Sequence, residues 1–248
     1  MLTTVLLLIS ALIVGVLVGC VAIGGVLLPP ALVYMGGFDP HLAMATSMWS
    51  FLFTGVVGTA AYSRRGSVNW RMVLWLSGGT VPAALLGAHS NVSLPAGTLM
   101  TFLAILIFAT GINSLSKPSG GQHLARSFGA GTLLLIGALV GFGSALTGTG
   151  GPVLLVPILV YLRGPILAAV GAGQVVQIPV ALFATVGYVL FGEVDFVLGT
   201  ALGFIAMVGV AAGARIAHMV HVSTLRHIVA VSLVGTGLLI MVRNITGF

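Results

Sequence analysis

The chain has very few charged side chains: three acidic and nine basic residues among 248, or 5%. Its mean hydropathy is +1.22, and 58% of its residues are hydrophobic. Twelve charged side chains cannot cover the surface of a water-soluble domain of this length. The composition therefore excludes a water-soluble globular protein. Charge-free runs at 1–38, 40–63, 72–116, 127–162 and 164–192 each exceed the ~18 apolar residues that indicate a membrane span.

These runs are continuous rather than alternating, which excludes a transmembrane barrel. In lipid every backbone polar group needs an internal partner, so the runs are predicted to be helices. The sequence therefore predicts an all-α polytopic membrane protein. The net charge of +6 does not indicate nucleic acid, because the basic residues lie at the ends of apolar runs, where they set membrane topology.

Cysteine and intramembrane charge are also scarce. The single cysteine, Cys20, excludes an internal disulfide and an all-cysteine metal site. His218 and His221 lack a third ligand, so we predict no metal and no cofactor. The middle of each predicted span is free of Asp, Glu, Lys and Arg, which proton pumps and cation carriers usually retain. This pattern favours an anion held by helix N-termini, hydroxyls and amides.

The chain repeats itself at an offset of 126 residues. Gly24-Gly25 is followed by a PALVY segment that begins at Pro30, and Gly150-Gly151 by a PILVY segment that begins at Pro157. Further matched pairs are Thr59 and Thr185, Tyr62 and Tyr188, Gly87 and Gly213, and Gly111 and Gly237. We predict two membrane repeats, 1–117 and 127–248, joined by a polar linker at 118–126.

Each repeat is predicted to contain one long element and then three ordinary spans. The long elements are 2–36 and 127–162, and the spans lie near 41–63, 71–91, 95–115, 165–191, 195–217 and 222–242. The long elements exceed one crossing of ~20 residues but fall short of two. Each is therefore either a single kinked span or a re-entrant hairpin of two half-helices that meet at the glycine pair.

The basic residues favour the hairpin. If the long elements return to the side they entered, eight of the nine basic residues lie on one side and Arg243 lies opposite; single crossings would divide them six to three. The first division obeys the positive-inside rule better. We therefore expect repeats of inverted topology, with both termini outside.

The two Gly-Gly breaks are the strongest candidates for a functional site. Glycine lets the backbone leave helical geometry, and a half-helix that begins after it presents unpaired N–H groups at its positive end. The alternative role for the glycine pairs is small-residue packing between helices. For Gln174 and Gln177 the alternative to ligand binding is an interhelical hydrogen bond. Two matched breaks favour a substrate site between them. The candidate substrate-binding residues are Gly24, Gly25, Thr46, Ser47, Trp49, Thr147, Thr149, Gly150, Gly151, Gln174 and Gln177.

Cys20 lies four residues before the first break and is a candidate for thiol chemistry. A lone membrane cysteine is more often a small apolar filler.

Three segments carry a resemblance to a known family. They are Gly24-Gly25 with Pro30, the stretch from Pro40 to Ser47, and the stretch from Tyr62 to Trp70, with a second copy from Thr149 to Arg215. Over nearly the whole chain, this combination resembles the sulfite exporter TauE/SafE family of membrane permeases. The resemblance implies a carrier of small sulfur-containing anions, such as sulfite or organosulfonates. Thr46-Ser47 keeps the family pattern, whereas repeat two has Ala172-Gly173 followed by Gln174, so the ligand can differ.

From these features we expect a multi-pass inner-membrane secondary transporter that moves its anion by alternating access. An anion channel is the nearer alternative, and an intramembrane enzyme is a weaker one because the spans offer no general acid or base. The expected partners are the small anion and the lipid bilayer. The sequence also allows a homo-oligomer.

Overall fold

A computed structural model describes residues 2–115, 128–162, 165–217, 219, 234–235, 237–238 and 240–242. Within these ranges the regular structure is helical throughout. The helices are α1 (Leu2–Val21), α2 (Leu28–Gly36), α3 (Pro40–Ser63), α4 (Trp70–Ser93), α5 (Ala96–Leu115), α6 (Ala130–Thr147), α7 (Pro152–Tyr161), α8 (Ile166–Phe191) and α9 (Phe196–Ile216), with a 3₁₀ turn at Gly24–Leu27.

Among the described helices, α1, α3, α4, α6, α8 and α9 are long and apolar enough to cross a membrane. The prediction of an all-α polytopic membrane protein is therefore confirmed. Helices also occupy five of the predicted ordinary spans, with boundaries that differ by one or two residues. The linker at 118–126 lies outside the described residues, as does most of the span predicted near 222–242.

Polar residues before three of the helices set where those helices begin. The side chain of Asp39 accepts a hydrogen bond from the backbone N–H of His41 at 2.8 Å, immediately before Pro40 opens α3. Asn69 and Asp195 cap α4 and α9 in the same manner. Such caps satisfy N–H groups that the first helical turn leaves without a partner. Asn69 and Asp195 are 126 residues apart, so the repeat extends to helix capping.

Each predicted long element forms two helices that fold back on each other. A Cβ atom on Gly36, at the end of α2, would lie 3.3 Å from Cδ1 of Leu7, near the start of α1. A continuous helix would separate these residues by about 40 Å at ~1.5 Å per residue. In the second element, a Cβ on Gly143 would lie 2.7 Å from Cδ1 of Leu154. Both elements therefore fold back at the break, as in the hairpin alternative, and their return to the side of the membrane from which they entered stays a prediction.

The arms of these hairpins are unequal, which corrects the expectation of two half-helices meeting at the glycines. α1 has 20 residues and α2 has 9, while α6 has 18 and α7 has 10. At ~1.5 Å per residue the first arm can reach across the hydrocarbon core of ~30 Å, and the second covers about half of it.

The main helix contacts occur in matched pairs. α1 packs along α9, and α6 packs along α4. α3 packs against α9, α8 packs against α4, and α3 and α8 pack against each other. Gly213 lies against the carbonyl of Val16, and Gly87 lies against the carbonyl of Phe142. Phe142 is the repeat counterpart of Val16, and Gly87 is the repeat counterpart of Gly213. The two contacts are therefore equivalent, with the partners exchanged between the repeats. Small residues permit this close approach of helix backbones in lipid.

These exchanged partners support two repeats. The boundaries of the repeats and their inverted orientation stay predictions.

Sidedness of labelling tests the inverted arrangement. In a Cys20→Ser background, Thr3→Cys and Asp39→Cys are expected to react with an impermeant thiol reagent from one side of the membrane, and Arg65→Cys from the other. The reason is that the inverted arrangement requires α1, α2 and the turns that flank α2 to return the chain to the side on which it enters. Reaction of Thr3→Cys and Asp39→Cys from opposite sides would contradict the return.

Candidate functional site

The two breaks meet each other near the middle of α3 and α8. A Cβ on Gly25 would lie 3.1 Å from the carbonyl oxygen of Thr149, which precedes the second glycine pair. A Cβ on Gly150 would lie 2.8 Å from Cδ2 of Phe51 in α3, and one on Gly151 would lie 3.7 Å from Cα of Gln177 in α8. The close contacts around the breaks are therefore made by backbone and by two central side chains.

The two breaks begin alike and then diverge. α1 and α6 each end at a residue in the left-handed region, Ala22 with φ 63° and Gly148 with φ 67°. After this point the first break forms the 3₁₀ turn at Gly24–Leu27, whereas Gly150 and Gly151 have φ values of 84° and 98°. A side chain is strained at such φ values, so glycine is required at the second pair by conformation. One sequence signature thus produces two local geometries.

Side-chain donors satisfy carbonyl groups at the ends of α1 and α6. A helix leaves its last four carbonyls without intrahelical partners, and such groups are costly in lipid. Of the four acceptors given below, Val18 O also accepts from the backbone N–H of Ala22 at 2.9 Å. The tyrosines are repeat counterparts, since Tyr62 and Tyr188 are 126 residues apart, as are their acceptors. The bonds run from Gln174 Nε2 to Val18 O at 2.9 Å, from Tyr62 Oη to Gly19 O at 2.8 Å, from Tyr188 Oη to Ala145 O, and from Asn91 Nδ2 to Leu146 O at 2.8 Å.

The N–H groups on the other side of each break have no such partners. Among the described residues, the backbone N–H groups of Gly24, Gly25, Gly150 and Gly151 donate to no protein acceptor, and neither does that of Val153. No side chain caps the 3₁₀ turn or α7. Pro152 at the first position of α7 has no N–H to satisfy. Each break therefore has capped carbonyls before it and open N–H groups after it.

Two hydroxyl groups stand beside the second break. Thr147 Oγ1 donates to the carbonyl of Gly143 at 2.7 Å, and Thr149 Oγ1 lies 3.0 Å from Thr147 Oγ1. Because Thr147 has one hydroxyl hydrogen, Thr149 is the donor of the second bond. Both threonines are buried. Thr149 can redirect its hydrogen to a ligand without breaking a helix hydrogen bond.

Gln177 ties the two central helices together. Its Nε2 lies 2.8 Å from the carbonyl oxygen of Phe51 and 2.6 Å from Oγ1 of Thr54. The amide nitrogen therefore holds α8 against α3, and the predicted donor role of Gln177 toward an anion stays a prediction. Gln177 nevertheless lies beside Gly151.

Two predicted site residues of α3 face α9 rather than the breaks. The hydroxyl of Thr46 accepts from the N–H of Asp195, and Trp49 Nε1 donates to Thr200 Oγ1 at 2.9 Å, so both face α9. The expectation that they share the site with the glycines is not met. Ser47 Oγ donates to the carbonyl of Ala43, within its own helix.

Gln174 and Cys20 also have structural partners. The amide nitrogen of Gln174 caps α1, and its Oε1 is buried without a partner against Gly58, where a Cβ would collide with it. One amide hydrogen of Gln174 is therefore committed to α1, and its role toward a ligand stays a prediction. The buried thiol of Cys20 lies 3.1 Å from the carbonyl oxygen of Gly213. This contact fits a small filler between α1 and α9.

Phe51, Asn91 and the two tyrosines were missed by the sequence prediction of the site. The matched pair Tyr62 and Tyr188 was visible in the repeat, but nothing in the sequence identified their acceptors. Phe51 is the repeat counterpart of Gln177, and that equivalence was the available signal. Within the described ranges, no group of three or more His, Cys, Asp or Glu side chains could hold a metal ion.

The fold defines a multi-pass α-helical membrane protein with two broken helical elements. The model of the sulfite exporter TauE/SafE family matches residues 7–240, and the chain belongs to that family. Its relatives include three from Bacillus subtilis (strain 168). The probable membrane transporter protein YjnA is 26% identical over 95% of this chain and 98% of its own length. YdhB is 25% identical over 92% and 96%, and YunE is 25% identical over 94% and 95%.

No solved structure gives a significant match. The family and the relatives, all named as probable membrane transporter proteins, support a membrane transporter. They are consistent with a role other than catalysis, and an inner-membrane location is consistent with these bacterial relatives.

Matched substitutions at the two helix ends test the left-handed caps. Gly148→Ala is expected to lower the midpoint of thermal unfolding in detergent, because its Cβ would lie 2.6 Å from Cα of Met44 and φ is positive. Ala22→Gly, at the equivalent position, is expected to stabilise the protein by about 0.5–1 kcal/mol by relieving the same backbone strain. Equal midpoints for both variants and the parent protein would contradict this account.

Proposed function

We propose that the protein is a secondary transporter that moves a small sulfur-containing anion, of the sulfite or organosulfonate type, across the inner membrane by alternating access. The observation that carries the proposal is the meeting of two helix breaks whose N–H groups lack protein acceptors. The expected ligand completes those N–H groups near the middle of the membrane.

The donor set favours an anion over a cation. Unpaired N–H groups at Gly24, Gly25, Gly150 and Gly151 carry partial positive charge, and α7 adds the positive end of its dipole. A desolvated cation would need carbonyl oxygens instead. The carbonyls of Gly19 and Ala145, at the ends of α1 and α6, already accept from tyrosine hydroxyls.

The sulfur chemistry comes from the family. The family model is described as a sulfite exporter, and sulfite and sulfonates present oxygen acceptors on a compact head. The hydroxyl of Thr149 supplies one adjustable donor to such a head. The absence of lysine and arginine among the described residues at the breaks suits a ligand that must be released on the other side, since a charge-assisted bond would hold it more strongly.

Alternating access is supported by the paired packing. α1 and α9 form one contact and α4 and α6 form the counterpart, while the breaks lie between them. Rocking of one pair against the other would open the space between the breaks to each side in turn. An open channel is disfavoured because the buried Phe51 fills the space between Gly25 and Gly150.

Flux into liposomes tests the proposed function. Purified protein is expected to carry at least one of sulfite, thiosulfate, sulfoacetate, taurine or sulfate, with saturable uptake and counterflow. Saturation follows from a single central site that must be emptied before it is refilled. Flux that rises linearly with concentration and shows no counterflow would indicate a channel, and the absence of flux for every compound would contradict the proposed substrate class.

Removal of one hydroxyl tests the position of the site. Thr149→Val keeps the side-chain shape but loses the donor, and the apparent affinity for the transported anion is expected to fall about tenfold, the equivalent of one hydrogen bond to a charged group. Thr132→Val, on an exposed position of α6, is the matched control and should leave affinity unchanged. Unaltered affinity in Thr149→Val would place the anion elsewhere.

A further inference from the structure

The aromatic ring of Phe51 lies between the two breaks. The residue is 1% exposed, and its ring contacts both glycine pairs. A Cβ on Gly25 would lie 3.3 Å from Cζ of the ring, and a Cβ on Gly150 would lie 2.8 Å from Cδ2. The glycines of both breaks therefore leave room for this ring and are in turn covered by it.

The backbone of Phe51 is fixed independently of its ring. Its carbonyl oxygen accepts from Gln177 Nε2 at 2.8 Å and from Thr54 Oγ1 at 3.0 Å. Rotation about the side-chain torsions would therefore move the ring without disturbing the contact between α3 and α8. Such rotation between staggered rotamers requires no change in the helix.

An anion and the ring cannot share this space. The ring fills the gap between Gly25 and Gly150, and the face of an aromatic ring carries partial negative charge. A ligand that enters the space between Gly25 and Gly150 must therefore displace the ring.

We propose that the side chain of Phe51 occludes the substrate site in the ligand-free protein, and that its displacement admits the anion to both breaks. The substrate site and the identity of the anion rest on the proposed function, whereas the covering of both breaks by the Phe51 ring does not. Phe51 belongs to repeat one, and its counterpart in repeat two is Gln177, which is committed to hydrogen bonds. The gate is therefore a single side chain from one repeat.

Occlusion has a measurable thermodynamic consequence. If the site is open in a small fraction of molecules, the apparent dissociation constant is raised by the inverse of that fraction. Removing the ring raises the open fraction, so an occluding Phe51 weakens binding in the parent protein. If Phe51 had only a structural role, its removal would loosen the site and weaken binding instead of strengthening it.

Thiol accessibility at the second break tests the gate without reference to any substrate. In a Cys20→Ser background, Thr149→Cys is the reporter and neutral methyl methanethiosulfonate is the probe. Adding Phe51→Ala is expected to accelerate modification about tenfold by raising the open fraction. Phe53→Ala is the matched control: Phe53 packs on Trp49 and Phe204, with ring centroids 5.5 and 5.3 Å away. It should leave the rate unchanged.

Phe51→Leu provides a second variant if Phe51→Ala fails to fold, as judged by gel filtration in detergent. Its smaller side chain should give an intermediate acceleration. An unchanged modification rate in the folded Phe51 variant, or equal acceleration by Phe53→Ala, would overturn the proposed gate.

A second arm separates the gate from the proposed function. Anionic 2-sulfonatoethyl methanethiosulfonate is compared with the neutral reagent on the Phe51→Ala reporter, with and without taurine or sulfoacetate. Faster neutral modification that neither compound slows, with no preference for the anionic reagent, would support the gate while contradicting the anion site. The opposite result is that one of these compounds slows modification of the reporter, while the neutral reagent reacts no faster with the Phe51→Ala reporter than with the reporter that retains Phe51. That result would support the anion site and contradict the gate.

Discussion

A helix that stops inside a membrane leaves two sets of backbone groups without partners, carbonyls where it ends and N–H groups where the next helix begins. In lipid each unsatisfied group costs several kcal/mol, so the break must be completed by protein groups, by a ligand or by water held in an internal cavity. This protein treats the two sets differently. Tyrosine, glutamine and asparagine side chains satisfy carbonyls at the ends of α1 and α6, whereas the N–H groups after both breaks are left open. A ligand that accepts hydrogen bonds is the natural complement of this arrangement.

Carbonyl capping also explains why the helices pack so closely. The phenol of Tyr62 on α3 must reach Gly19 on α1, and that of Tyr188 on α8 must reach Ala145 on α6. Glycine allows the neighbouring helices to approach to backbone contact, as at Gly213 against Val16 and its counterpart at Gly87. Small-residue packing was the alternative explanation for the Gly-Gly pairs. It is present in this protein, at glycines along the spans. Close helix packing and the helix breaks are two uses of glycine in one chain.

Much of the fold could be predicted from the sequence, because lipid restricts the choices. Charge-free runs predicted helices with boundaries close to those of α3, α4, α8 and α9, and the glycine pairs predicted the breaks. The site was harder because a polar side chain in a membrane span can bind a ligand or satisfy the protein itself. Gln174 and Trp49 have partners far away in sequence, Val18 and Thr200. No local pattern separates those two uses.

The remaining asymmetry lies at the centre of the molecule, where Phe51 and Gln177 occupy equivalent positions in the two halves. Equivalent helices can exchange roles during transport if their contacts have equal counterparts, as those of α1 with α9 and of α6 with α4 do. A central position is different, because side chains from both halves compete for one space. Two phenylalanines there would leave no donor to hold α3 against α8, and two glutamines would leave the breaks uncovered. One ring and one amide divide these tasks, so an approximately symmetric scaffold requires an asymmetric pair where its halves meet.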